Sequence, residues 1–198
     1  DGIRVGDPPK MLGNEGSHAC YVWFENCEVP ADSIVGGQEG RGLKAALRGI
    51  NHARLHVAAT CVGQAIRLIT EMTEYASKRE QFGKRIGEFG QIAAMLADSR
   101  AEMAAGRALC LDCSKQFDAG DQIPFIDIAS AKLFCSEMVS RVADRAVQVM
   151  GGLGYMEDLS DVPRLFRDVR LFRIFEGASQ VQQGNIARSM MKDNESLS

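Results

Sequence analysis

The stretch Ile92-Ala93-Ala94-Met95-Leu96-Ala97-Asp98-Ser99-Arg100-Ala101-Glu102-Met103-Ala104-Ala105-Gly106-Arg107-Ala108-Leu109-Cys110-Leu111-Asp112-Cys113-Ser114-Lys115-Gln116-Phe117 decides the fold class. Ile92, Leu96, Ser99, Met103, Gly106, Cys110, Cys113 and Phe117 follow one another in alternating steps of four and three, which draws a single buried stripe along a helix. A half-buried strand would instead alternate every second residue. Gly106 costs about 1 kcal/mol relative to alanine inside a helix, so its place in the stripe predicts a close approach by another helix. Asp118-Ala119-Gly120-Asp121 is a stop signal.

The same period extends to both sides. Before it, Leu43, Leu47, Ile50, Val57, Cys61, Val62, Ala65, Ile69 and Met72 predict an unusually long first helix. After Pro124, the residues Ala131, Cys135, Met138, Val142, Ala146 and Val149 share one face, and Gly151-Gly152 breaks that helix. A shorter helix is expected over Asp161 to Arg170, with Pro163 in its first turn. Ser179, with Gln182 three residues on, has the pattern of a capping box opening a last helix. The expected fold is all-α: an antiparallel, up-and-down bundle resembling four-helix bundles.

The first thirty residues differ. Cys20-Tyr21-Val22-Trp23-Phe24 and the run to Val29 are aromatic and β-branched, and Pro30 ends them, which predicts strand. Glycines at 36, 37, 40 and 42 mark a linker, so residues 1–38 are expected to form a β remnant and linker, and residues 39–198 the helical domain.

Composition excludes several functions. The 198-residue chain is 45% hydrophobic and 25% charged with a formal net charge of -3, enough for a core and without the positive field that holds nucleic acid or anionic lipid. No apolar run is long enough to span a bilayer, and Asp1-Gly2-Ile3-Arg4 lacks the pattern of a signal peptide, so a cytoplasmic location is expected. Six cysteines at irregular spacing suggest reduced thiols rather than a disulfide framework.

Taken singly, the local constellations are weak. Cys110-x-x-Cys113 lies on the buried stripe, where thiols act as small core fillers, and His52 and His56 have no third ligand nearby, so no metal site is expected. Arg79-Glu80-Gln81-Phe82-Gly83 could grip a phosphate and cover an aromatic cofactor, or could simply end a helix. Gln148 to Tyr155 brings three glycines where backbone N–H groups could meet a ligand, or merely turns the chain. Glu176, between Phe175 and Gly177 and just before a helix start, sits where partial desolvation tunes a carboxylate for proton transfer.

Taken together and in this order, the pieces resemble the acyl-CoA dehydrogenase family from Lys10 to the last helix. The matching elements are Phe24-Glu25-Asn26-Cys27-Glu28-Val29-Pro30, Arg79-x-x-Phe82-Gly83, Gln148-x-x-Gly151-Gly152-x-Gly154-Tyr155, and the run from Arg167-Asp168 to Ile174-Phe175-Glu176-Gly177. The resemblance implies FAD-dependent dehydrogenation of an acyl-CoA to a trans-2-enoyl-CoA in fatty acid metabolism. Glu176 would be the base that removes the α-proton as hydride leaves the β-carbon. Arg79, with Gln81 and Phe82, would reach the diphosphate of an FAD held mainly by a neighbouring subunit, and Gln148, Gly151 and Gly152 its adenosine half. Ser179 and Gln180 would lie near the subunit's own FAD, while Asn51, Arg54 and Gly177 would line the acyl-CoA path. A homodimer or homotetramer and an electron-transferring flavoprotein as acceptor follow from the same resemblance.

Some relatives carry the base one residue before the arginine matching Arg54, and here that residue is Ala53. The sequence departs from the family pattern at Ala178, usually threonine, at Asn51, usually aspartate, at Gly90, often glutamine, and at Phe175, commonly tyrosine. The family's N-terminal helical domain and most of its β domain have no counterpart here, so the chain is expected to be a fragment or a separately encoded part that retains FAD weakly or not at all and is inactive alone. The competing reading is a non-catalytic helical interaction module without flavin; a third keeps the flavin for oxidase or monooxygenase chemistry.

Overall fold

The computed structural model describes residues 1–119 and 125–195. Five helices, α1 (Gly42–Lys78), α2 (Gly90–Asp118), α3 (Phe125–Met150), α4 (Val162–Val169) and α5 (Ser179–Glu195), form an all-α domain. Two short antiparallel ribbons accompany them: β1 (Ile3–Val5) with β2 (Val22–Phe24), and β3 (Glu80–Gln81) with β4 (Lys84–Arg85). The segment Gly120–Pro124, including part of the expected stop signal, lies outside the described residues.

Helix α3 is the axis of the domain, packing against α1, α2, α4 and α5. The stripes supply the reason. Ala58, Cys61, Ala65, Leu68 and Met72 on α1 and Ala131, Cys135, Met138, Val139, Val142, Ala143 and Ala146 on α3 are wholly excluded from solvent. Ser99, Met103, Gly106, Cys110 and Cys113 complete the seam from α2. The side chains at these crossings are mostly small, so the axes come close. A Cβ built on Gly106 would sit 3.1 Å from Cys135 Sγ and 3.3 Å from Met138 Cε, the approach its place in the stripe predicted. Cys110 and Cys135 sulfurs meet at 3.8 Å in the same seam, and all six cysteines are free thiols.

Two expectations need correction. The N-terminal end of the α1 stripe is not core: Leu43 is 73% and Leu47 50% exposed, because this end of the helix extends beyond its partners. The aromatic run is strand only over Val22–Phe24, since it has one three-residue partner and no sheet to cover it. The β1/β2 ribbon is tied to the bundle through Asn14. Its backbone N–H donates to Asp168 Oδ1 (2.5 Å) and its side-chain amide to Asp168 O (3.1 Å). Gly13 lies so close to Arg167 and Asp168 that a Cβ there would stand 2.7 Å from Asp168 Oδ1.

Candidate active site

The polypeptide leaves α4 through a 3-10 turn over Arg170–Arg173, stacks Phe175 on Phe172 at 5.6 Å, and then reverses hand. Glu176 has φ +53 and Gly177 φ +89, so two consecutive residues occupy left-handed backbone immediately before α5. Glycine accepts this freely; a glutamate does so at a cost of about 1–2 kcal/mol. Strain of this kind persists only where surrounding contacts impose it.

Those contacts come from three helices. Arg54, on α1, donates through Nε to Glu176 O at 3.0 Å and through NH1 to Asn51 Oδ1 at 2.9 Å. Gln182, on α5, donates through Nε2 to Glu176 O at 3.0 Å and to Gly177 O at 3.2 Å. Lys132, on α3, donates through Nζ to Gly177 O at 2.8 Å. Lys132 and Gln182 are wholly buried and Arg54 is 8% exposed. Burial lowers the pKa of Lys132 and of Arg54, while the Glu176 carboxylate acts in the opposite direction on both. The carboxylate itself is half-buried.

The expected capping box does not form. Ser179 is already the first residue of α5, and its hydroxyl donates to Glu137 Oε1 at 2.6 Å, beside Arg173 Nε at 2.9 Å. The Ser179 hydroxyl is committed to a charge-assisted bond with a carboxylate, and the Gln182 amide is drawn to the corner's carbonyls instead. Gln180 is exposed on the first turn of α5.

A second group of expected site residues gathers at the opposite end of α1. Arg79 caps the helix and is followed by the β3/β4 hairpin, whose two-residue loop is Phe82 (φ +53) and Gly83 (φ +80). Both loop residues are left-handed, as a tight I′-type turn demands, and the phenylalanine ring is left 93% exposed. Arg79, Gln81, Phe82, Gly151 and Gly152 line one groove of about 400 Å³ together with Tyr75, Phe89 and Met150. Among the described residues, no carboxylate pairs with Arg79. Gly151 has φ +57, and nothing stands within 4 Å of the Cβ it lacks. A free guanidinium, an exposed ring and an open glycine backbone suit a diphosphate joined to an aromatic base. Gln148 lies exposed on the last turn of α3.

A larger cleft of about 730 Å³ lies between α3 and α4, but four of the five arginines that line it, all but Arg170, are already engaged with carboxylates. Arg141 and Arg145 pair with Glu102, Arg173 with Glu137 and Arg167 with Glu157. The ring of His52 meets Phe117 edge-on at 4.1 Å.

Sequence reasoning located Asn51, Arg54, Glu176, Gly177 and Ser179, and the fold brings all five together. It missed Lys132, and it saw Gln182 only as a cap. A signal for Lys132 existed: it falls on the apolar face of α3 in the series Ile128, Lys132, Cys135, Val139 and Val142, where an ordinary surface lysine has no place.

The architecture is a helical bundle with a strained Glu-Gly corner and a hairpin groove at the C-terminal end of its longest helix. The pattern of the acyl-CoA dehydrogenase C-terminal domain matches residues 40–191, and the chain belongs to that family. It is 36% identical over 180 residues to the mitochondrial very long-chain specific acyl-CoA dehydrogenase of Mus musculus, covering 91% of this chain and 27% of that protein. It is 33% identical over 192 residues to the cyclohexane-1-carbonyl-CoA dehydrogenase of Geobacter metallireducens, covering 97% and 50%. Butyryl-CoA dehydrogenase from Megasphaera elsdenii superposes with a TM-score of 0.91 at 32% identity, over 96% of this chain and 49% of the other. The chain thus spans half or less of the length of these relatives. Among the described residues no helix is long and apolar enough to cross a membrane.

Proposed function

We propose that this chain is the C-terminal part of an FAD-dependent enzyme that converts an acyl-CoA to a trans-2-enoyl-CoA, with Glu176 as the base for the α-proton. The observation that supports this most is the corner itself. A carboxylate is carried on strained backbone that three buried donors pin from behind, directly before the N-terminus of α5, whose unpaired N–H groups favour negative charge nearby. FAD, when bound, supplies the acceptor for the substrate's β-hydride. Glu176 takes the proton, and the pinned backbone holds it ready at low reorganisation cost.

The two groups of site residues divide the cofactor work. Arg54, inside α1, and Arg79, at its C-terminal cap, stand about 37 Å apart at 1.5 Å per residue, further than one dinucleotide reaches. Arg79, Gln81, Phe82, Gln148, Gly151 and Gly152 would therefore hold the diphosphate and adenosine of a neighbouring subunit's FAD. Ser179 and Gln180 would lie beside the subunit's own. A homodimer or homotetramer follows, with residues 1–38 as the end of a preceding β domain and an electron-transferring flavoprotein as acceptor. Asn51, Arg54 and Gly177 would lie along the acyl-CoA path.

The test is Glu176→Gln in the complete enzyme. Glutamine keeps the shape and cannot accept the proton, so flavin reduction by acyl-CoA is expected to slow roughly a thousandfold with FAD content unchanged. Reduction within tenfold of the parent rate would remove Glu176 from the role.

A further inference from the structure

Of the three donors behind the corner, Lys132 is the costliest: its side chain is wholly buried and its ammonium ends 2.8 Å from the carbonyl of Gly177. Sealing a cation in a helical core is expensive, several kcal/mol even after relaxation, and one carbonyl acceptor offsets only part of that. The carbonyl does not need a charge for its own sake, because Gln182 Nε2 already donates to it at 3.2 Å. Nor does the core need one: the neighbours of Lys132 along the buried face of α3 are Ile128, Ala129, Ala131, Cys135 and Ser136. The side chain rises through this face to a corner where the backbone is left-handed at two residues running, Glu176 and Gly177.

The charged groups around it come from every side of the corner. Arg54 on α1 and Glu137 on α3 act on it, as do Glu176 and the Cys61 thiol. Glu137 is already held by Arg173 and Ser179. Arg54 is directed to Glu176 O and Asn51. Lys132 is thus the donor committed to the Gly177 carbonyl, and with Arg54 on the preceding carbonyl it fixes both peptide planes that follow the glutamate.

Resting on the assignment of Glu176 as base, we infer that Lys132 is a positioning residue for it, a buried ammonium that locks the Gly177 peptide and through it the direction in which the carboxylate projects. A misplacement of about 1 Å at a reacting group can cost about a hundredfold in rate. A side chain that merely filled the core would show itself in stability; one that aims the base shows itself in turnover.

The experiment uses the complete enzyme in four forms: parent, Glu176→Gln, Lys132→Met and Lys132→Gln. Methionine matches the volume of lysine without its charge or donor, and glutamine retains a donor that is too short to reach. Stopped-flow flavin reduction gives the limiting rate and the apparent acyl-CoA affinity, thermal unfolding gives Tm, and absorbance gives the FAD content. Both Lys132 variants are expected to lose about a hundredfold in limiting rate, with acyl-CoA affinity and FAD content within threefold of the parent. Tm should be unchanged or raised, because the buried cation is gone. Reduction within threefold of the parent in either variant overturns the proposal, as does a fall of several degrees in Tm or loss of the fold, which would assign Lys132 to the core. The Glu176→Gln arm separates the two readings. If it too keeps the parent rate, the base assignment fails; if it is inactive while the Lys132 variants are not, only the positioning role fails.

Discussion

Replacing Gly177 by alanine isolates the strained corner. At φ +89 an L side chain is strained by about 1–2 kcal/mol. The added Cβ would also collide with Gln182 Nε2 and stand 3.3 Å from Arg54 NH2. Gln182 can yield only by leaving the carbonyls of Glu176 and Gly177, two hydrogen bonds worth about 1 kcal/mol each. The sum is a destabilisation of about 3 kcal/mol, read as the change in unfolding free energy in urea at neutral pH. Gly152→Ala is the internal control, because the Cβ there would meet only Met156 Cε at 3.8 Å and should cost less than about 0.5 kcal/mol. In the complete enzyme Gly177→Ala should also slow flavin reduction by about a hundredfold, since the base is carried on the displaced turn. An unfolding free energy within 1 kcal/mol of the parent would show that the clamp of Arg54, Lys132 and Gln182 imposes nothing on the corner.

In the folded chain, iodoacetamide should label the half-buried Cys20 and Cys27 and spare the other four until unfolding, since burial pushes the Cys61 thiol up to about 12 and also raises Cys113; fast labelling of a third cysteine, by mass spectrometry, would contradict this. Burial alone would raise the pKa of Glu102, but hydrogen bonds and charge from Arg145 and Arg141 hold it below its ordinary 4.5. Its stabilising contribution is therefore complete above about 4.5 and lost as the pH falls through the lower folded value, so the Tm gap between parent and Glu102→Gln should narrow with acidification, and a constant gap would refute the linkage. Arg79→Ala should weaken FAD binding by the assembled enzyme by about 10- to 100-fold, the loss of a charge-assisted bond to phosphate, as read by fluorescence titration; unchanged affinity would remove Arg79 from the cofactor site.

What the sequence determined by itself is the part governed by local period and punctuation. The stripes on α1, α2 and α3 repeat every three or four residues because one face of each helix is buried, so Met72, Met103 and Met138 could be placed in the core from spacing alone. Gly106 announced a close helix contact for the same reason. Glu176 and Arg79 were legible because they sit in short motifs. Tertiary structure alone decided what holds the corner. Arg54 and Lys132 stand 122 and 45 residues from the carbonyls they bind, on helices whose own patterns say nothing about each other. Lysine is read as a surface residue because burying its charge is costly, and only the fold shows an acceptor waiting at the end of the side chain. Leu43 and Leu47 mark the opposite limit: period placed them on the stripe, but burial requires a partner helix alongside, and at that end of α1 there is none among the described residues.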